Sequence, residues 1–253
     1  MEMGASDHLD DAQLLYDRAQ THRREFNARN GAGAGRLWDL RRSTSADGTA
    51  HTAELTLDRT ILRELKPVIA DIANNLVHAL DHVAAAARVQ ADTGKTGRLY
   101  FPITDDDGAF AERIAQARLY IGDDWADLFT AAREQHRICL AYLKTVKTLS
   151  NEAKHWELRP GTAGAHAVQW FAPDHHIKQV PAGHFAANDS YRFWEAAEPF
   201  PNVGIQIVAS FKIRSEGIDE VDLDSVLQTS SIFVAGLIAK SREHLAAVAP
   251  AQP

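Results

Sequence analysis

The sequence predicts an α+β fold in which a helical bundle forms most of the core. Apolar residues recur every three or four positions through residues 60–158 and again through 222–247, a spacing typical of amphipathic helices. Two short alternating segments flank the Asp-Gly pair at 47–48, which favours a β-hairpin. Between residues 163 and 214 the pattern changes to period two with many aromatics, which predicts antiparallel strands before the last helix.

The first elements are a helix and a hairpin. Apolar residues spaced by three or four predict an amphipathic helix over residues 7–29, and the glycine-rich "NGAGAG" at 30–35 ends it. "RLWDLRR" and "HTAELTL" are predicted to form the two hairpin strands. The apolar positions of the helix are Leu9, Ala12, Leu15, Ala19 and Phe26.

A bent helix is predicted over residues 60–90, although Pro67 falls inside it. Its apolar stripe is nearly unbroken, which indicates a face buried in the bundle. The stripe consists of Ile61, Leu65, Val68, Ile72, Leu76, Ala79, Val83 and Ala86.

The middle of the chain is predicted to contain a short strand at "RLYFPI" (98–103) and a helix over 109–120. A long helical stretch then covers 124–158, with a local break near Glu134, because the periodic position there falls on a histidine. The last helix is predicted over 222–247. We expect one domain over residues 1–248, with a helical core at 60–158 plus 222–247, a strand-rich region at 163–214 and a loose tail at 249–253.

Composition narrows the class of protein. A formal net charge of −7 argues against a general nucleic-acid binder, which usually has a basic face. No apolar run reaches the ~18 residues of a membrane-spanning helix, and the acidic N-terminus lacks an apolar stretch, so we expect a cytoplasmic protein without membrane contact. The single cysteine, Cys139, excludes an internal disulfide.

Histidines on the bent helix raise the question of a site. Asp71, Asn75, His78 and His82 form a second stripe roughly 100° around the helix from the apolar one, whereas Asp81 is predicted to face solvent unless another segment covers it. Histidines four residues apart on one face can both bind a metal ion. A divalent metal held by His78, His82, Glu152 and His155 is therefore one alternative, although the sequence itself predicts no cofactor.

Two other interpretations remain open. Acid–base chemistry without metal would use His82 and His155 to move protons and Lys154 to stabilise developing charge on a phosphodiester. Alternatively, the histidines are structural and form hydrogen bonds between helices.

Three short motifs resemble those of a set of uncharacterised bacterial proteins. That set carries Asn-Leu-Arg-x-x-Leu-Asp-His on a helix, then a Phe-Pro-Ile segment, then Asn-x-x-Lys-His at the end of another helix, and the resemblance covers most of this chain. The matching residues here are Asn75, Leu76, Leu80, Asp81 and His82, then Phe101, Pro102 and Ile103, then Asn151, Lys154 and His155.

The arginine-to-histidine spacing of that set is similar to that of HEPN domains, which are helical, often dimerise and in many cases cleave RNA. In this chain Val77 occupies the arginine position, and valine cannot neutralise a phosphate. The resemblance therefore implies a HEPN-like binding or regulatory role, with homodimer formation, an RNA or protein partner and a stress or defence context. A metal-independent ribonuclease using His82 and His155 and a metal-dependent enzyme are the alternatives.

Overall fold

The structure is a computed structural model that describes residues 3–154, 162–172, 174–215 and 218–248. It confirms the mixed α+β class, with long helices and antiparallel sheets. The predicted tail at 249–253 lies outside the described residues, and the single-domain organisation stays a prediction. Two compact units divide the chain: 1–23, 69–158 and 225–253 form the first, and 24–68 and 159–224 form the second.

The helices agree closely with the apolar spacing of the sequence. Within the described ranges, none of them combines the length and apolar character that crossing a membrane requires. They are α1 Ala5–Arg29, α2 Arg59–Ala91, α3 Asp107–Gln135, α4 Leu140–Lys154, α5 His184–Ala187 and α6 Leu223–Val248, with a 3-10 turn at Arg137–Cys139.

Helix α2 contains Pro67 and is continuous through it, as predicted. Asp58 caps its start, because the Asp58 side chain accepts hydrogen bonds from the backbone N–H groups of Thr60, at 2.8 Å, and Ile61, at 3.1 Å. The apolar stripe is buried almost throughout, which fixes the direction in which the remaining faces of α2 point. Its fully buried members are Leu65, Ile72, Leu76, Ala79, Val83 and Ala86.

Helix α3 bends where the sequence predicts a boundary between two helices. Gly122 has φ 73° and ψ 179°, a backbone conformation that favours glycine, and the chain resumes its helical path beyond it. The predicted break near Glu134 is confirmed, since α3 ends at Gln135 and a 3-10 turn separates it from α4. Residues 155–158 of the predicted helix lie outside the described residues.

The predicted strand at "RLYFPI" is wrong, because residues 98–103 form no strand. Pro102 lacks the N–H that a central strand needs, and other contacts hold the segment instead. The Phe101 ring packs 5.0 Å from the Phe129 ring and 6.0 Å from the Phe233 ring, measured between centroids. The Ile103 carbonyl accepts a hydrogen bond from Arg113 at 3.1 Å.

The strands of the second unit form two antiparallel sheets rather than one. The predicted hairpin is confirmed, with Leu40 opposite Leu55, and the strand containing Phe193 joins that hairpin instead of its sequence neighbours. The sheet orders are β1-β2-β5 and β4-β3-β6-β7. The strands are β1 Trp38–Thr44, β2 His51–Leu57, β3 Thr162–Phe171, β4 His175–Gln179, β5 Ser190–Ala196, β6 Ile205–Ser215 and β7 Ile218–Asp222.

Candidate functional site

The polar residues of α2 do not form one uniform stripe. His78 is exposed, whereas Asn75 is buried and donates a hydrogen bond to the Asp71 carbonyl at 2.7 Å, which is a structural role within the helix. His82 is half-buried, with a third of its side chain exposed. Of the two histidines that the sequence singles out on this helix, His82 is therefore the one placed in a polar, partly enclosed environment.

His82 meets two side chains of α1 that the sequence did not point to. The Nδ1 atoms of His8 and His82 lie 3.4 Å apart, and the ring centroids lie 5.6 Å apart. The Asp11 carboxylate lies 3.8 Å from the His82 Nδ1 atom. In a neutral pair one Nδ1 must carry the hydrogen and the other must accept it, so the two imidazoles constrain each other's tautomers.

The electrostatic environment of His8 favours its neutral form. Burial is the largest influence and lowers the pKa of His8 below its ordinary value of 6.5. Repulsion from His82 and Arg88 lowers the pKa further, whereas the carboxylates of Asp11 and Asp7 oppose the shift. At neutral pH His8 is therefore an uncharged group that can accept a proton or donate one.

A pH dependence of stability follows from this shift. Because the folded-state pKa of His8 lies below its unfolded value, the unfolded chain takes up a proton first as the pH falls. We expect the free energy of unfolding to decrease between about pH 7.5 and pH 5.5, and the decrease to be smaller in a His8→Asn variant. Urea unfolding at both pH values measures the difference. The exposed His78→Asn is the matched control, and an identical slope in His8→Asn and wild type would contradict the assignment.

His8 also lines an open cleft of about 560 Å³ at the C-terminal end of α2. The other wall is the "DTGKTG" loop, in which Gly94 and Gly97 have φ of 68° and 129°, values that a side chain would strain. Arg88 donates a hydrogen bond to the Gly97 carbonyl and so ties the loop to the helix. The cleft is lined by Met3, His8, Arg88, Val89, Asp92, Thr93, Gly94, Lys95, Thr96 and Gly97.

Asp81 is partly buried, because another segment covers it. The 98–103 segment covers it, and the Asp81 carboxylate accepts a hydrogen bond from the Phe101 backbone N–H at 3.1 Å. The Asp81 carboxylate also interacts electrostatically with Lys147 of α4. Burial and the charge of Arg113 lower the pKa of Lys147, and Asp81 partly opposes this shift. Asp81 therefore anchors the Phe-Pro-Ile segment, with the half-buried Lys147 near it.

The second sequence motif is described only in part. Helix α4 packs against α2 through Ser150, whose hydroxyl donates to the Asn74 side chain at 2.6 Å, and Asn151 is exposed. The side chains of Glu152 and Lys154, and all of His155, lie outside the described residues. The convergence of His82 with His155 and Lys154 thus stays a prediction.

The metal alternative also stays a prediction for the same reason. In the part of the chain that the structure describes, no three histidine, cysteine, aspartate or glutamate side chains are grouped to hold a metal ion. Two members of the predicted set, Glu152 and His155, have side chains outside the described part of the chain.

His82 was predicted from the sequence as a candidate site residue, but the residues around it were not. His8 and Asp11 are three residues apart, which places both on one face of α1, and this was the one signal that could have suggested them. Arg88 and Lys95 carry no motif that predicts a shared cleft. No protein-family model matches the chain, and no curated protein or solved structure matches it significantly.

Proposed function

We propose that the protein is a HEPN-like binding or regulatory protein that binds a small phosphate-bearing ligand of nucleotide size. The ligand would bind to the first unit (1–23, 69–158 and 225–253), called the helical unit below. One observation carries this proposal: His8, Arg88 and Lys95 line the same open cleft, and His82 lies against His8 at its edge.

The chemistry of the cleft suits a phosphate group. Arginine and lysine both bind phosphate oxygens, and arginine does so through two parallel N–H donors. The hydroxyls of Thr93 and Thr96 and the imidazole of His8 add neutral hydrogen-bonding groups to the same surface. The ligand would replace water rather than an existing salt bridge at Lys95, which has no carboxylate partner among the residues that the structure describes.

Size and charge favour a nucleotide over a long nucleic acid. A cleft of about 560 Å³ is within the range of small-molecule sites. Its two cations face one carboxylate, Asp92, and the chain as a whole has a formal net charge of −7. Two cations against one carboxylate leave a charge of +1, which offsets part of the charge of one phosphate group but gives no extended basic track for a polymer.

Titration calorimetry with AMP tests the proposal. We expect AMP to bind the wild-type protein, and each of Arg88→Gln and Lys95→Gln to bind about tenfold more weakly, equivalent to about 1.4 kcal/mol. Arg98→Gln is the matched control, because Arg98 is an exposed arginine near the same loop that does not line the cleft. The proposal fails if AMP does not bind, or if the control and the cleft variants behave alike. A six-nucleotide RNA that binds with far higher affinity than AMP would make RNA the ligand.

The contact between His8 and His82 favours a second candidate, metal-independent RNA cleavage. One imidazole would take the proton of the attacking 2′-hydroxyl, and the other would protonate the departing 5′-oxygen while the phosphorus–oxygen bond breaks. The predicted version, with His82, His155 and Lys154, would use the same chemistry. In either version His82 takes part.

Cleavage of a labelled RNA in the presence of EDTA separates this enzyme from the binding protein. We expect any intrinsic cleavage to fall by at least about a hundredfold in His82→Ala, the scale of a lost general acid or base. His78→Ala, four residues away on α2 and exposed, should retain it. Equal cleavage by His82→Ala and wild type would assign the activity to a contaminant or to another site.

A further inference from the structure

Arg133 of α3 is a buried arginine in an apolar environment. Only 4% of its side chain is exposed, although arginine seldom leaves the protein surface without partners for its charge. It lines a small cavity whose other walls are almost entirely apolar. The cavity is lined by Phe101, Pro102, Ile103, Thr104, Phe110, Arg133, Leu140, Leu143 and Phe233.

The guanidinium of Arg133 is only partly satisfied. Its Nη1 atom donates to the Asp107 carboxylate at 2.7 Å, and its carbon atom lies 4.5 Å from the centre of the Phe110 ring. Its Nε and Nη2 atoms are fully buried and have no hydrogen-bond partner among the residues that the structure describes. Buried donors left in this state are costly, so a group that satisfies them would bind favourably.

The two free donors are the pair with which arginine grips a carboxylate. Nε–H and one N–H of Nη2 point in parallel along one edge of the planar guanidinium, at the spacing of two carboxylate oxygens. The Asp107 contact holds the guanidinium in place from its other end. The fork is therefore held in a fixed orientation before any ligand arrives.

Local charges favour a singly charged ligand. Arg133 and Arg137 both contact Asp107, and Glu134 lies 3.6 Å from Arg133 and 3.2 Å from Arg137, so two arginines face two carboxylates. Because this set is already neutral, any anion adds uncompensated charge, and a phosphate dianion adds twice as much as a monocarboxylate between apolar walls that do not solvate it. A monocarboxylate places one charge on the fork and directs its tail toward the walls.

The size of the cavity limits that tail. The enclosed space is about 10 Å³, which is room for one water molecule or for a carboxylate head. Further space must come from the cavity mouth or from movement of the wall formed by Phe101 to Thr104, which belongs to no helix or strand. A short aliphatic chain requires only a small displacement of this wall, whereas a long acyl chain requires a large one.

We infer that the Nε and Nη2 atoms of Arg133 form a binding site for a small monocarboxylate, of the size of acetate to butyrate. This site shares no lining residue with the cleft at His8 and is independent of the proposed nucleotide function. It gives the helical unit a second ligand of a different chemical class.

Titration calorimetry of the full chain with sodium butyrate, against sodium chloride at equal ionic strength, tests the inference. We expect saturable binding that is at least about tenfold weaker in Arg133→Lys, because lysine keeps the charge but lacks the fork. Arg137→Lys is the matched control: Arg137 contacts the same carboxylate but is exposed, so butyrate binding should change by less than about twofold.

Two further measurements keep the inference testable if Arg133→Lys does not fold. Leu143→Phe leaves the guanidinium in place and fills the cavity, so it should abolish butyrate binding. A high-resolution crystal structure grown in butyrate should show the carboxylate on Nε and Nη2. Absence of saturable binding, equal binding by Arg133→Lys, or a single water on the two nitrogens in the presence of butyrate would each overturn the inference.

Discussion

Phe129→Ala is expected to lower the free energy of unfolding by about 3–5 kcal/mol, the range measured for deletion of a buried aromatic ring. Phe129 is completely buried in α3. Its ring lies 5.0 Å from the Phe101 ring and 6.1 Å from the Trp125 ring, between centroids. Loss of the ring removes its apolar burial and leaves a cavity that close-packed neighbours fill only in part.

Urea unfolding measures this loss, and Leu119→Ala is the matched control. Leu119 belongs to the same helix but is 61% exposed, so its truncation should change the free energy of unfolding by less than about 0.5 kcal/mol. Amide exchange at Phe101 gives a second readout, since its N–H is held by Asp81 and its ring by Phe129. A loss below about 1 kcal/mol for Phe129→Ala would contradict the prediction and would mean that the Phe101 segment collapses into the space.

The helices could be predicted because their information is local. The spacing of Ile72, Leu76, Ala79 and Val83 on α2 is a property of one segment, and the helix that it predicts is confirmed. The hairpin followed from the Asp47-Gly48 turn, and Gly48 does adopt a positive φ of 73°. The break before α4 followed from the loss of period near Glu134.

Strand pairing could not be predicted in the same way. Alternation identifies β5 as a strand, but its partner, β2, lies more than a hundred residues earlier in the chain. Period two carries no information on which of two sheets receives a strand. The Phe-Pro-Ile segment was misassigned because its aromatic and β-branched residues fit a strand, whereas tertiary packing of Phe101 and the bond from Asp81 decide its conformation.

The candidate site was predictable only where the information lies within one helix. The angular position of His82 at the edge of the apolar stripe follows from α2 alone, and the half-buried side chain agrees with it. Its partners His8 and Asp11 come from another helix, so nothing in the spacing of α2 could identify them. Asp81 shows the converse case, because a helical wheel places it opposite the core but does not show whether a distant segment covers it, as the Phe101 segment does.

Val77→Arg, which places an arginine where the motif of the similar bacterial set has one, is expected to lower the free energy of unfolding by about 2–4 kcal/mol. Val77 is only 8% exposed, so an arginine there must bury part of its charge or push its long side chain past packed neighbours. The flexible stem lets the guanidinium reach toward water, which keeps the loss below that of a fully buried charge. His78→Arg places the same charge one position along α2 on an exposed side chain, and it should cost less than about 0.5 kcal/mol.

Chelator-resistant RNA cleavage by the same variants links this stability test to function. We expect Val77→Arg to be destabilised and to show no cleavage, because a buried valine position gives a guanidinium no access to a phosphate held beside His82. This outcome agrees with a chain in which Arg88 and Lys95, rather than a motif arginine, supply the cations of the cleft. If Val77→Arg is instead stable and cleaves RNA, and Val77→Arg/His82→Ala does not, position 77 reaches the ligand. The loss of one arginine would then account for an inactive HEPN-like enzyme, and the nucleotide cleft would become its substrate site.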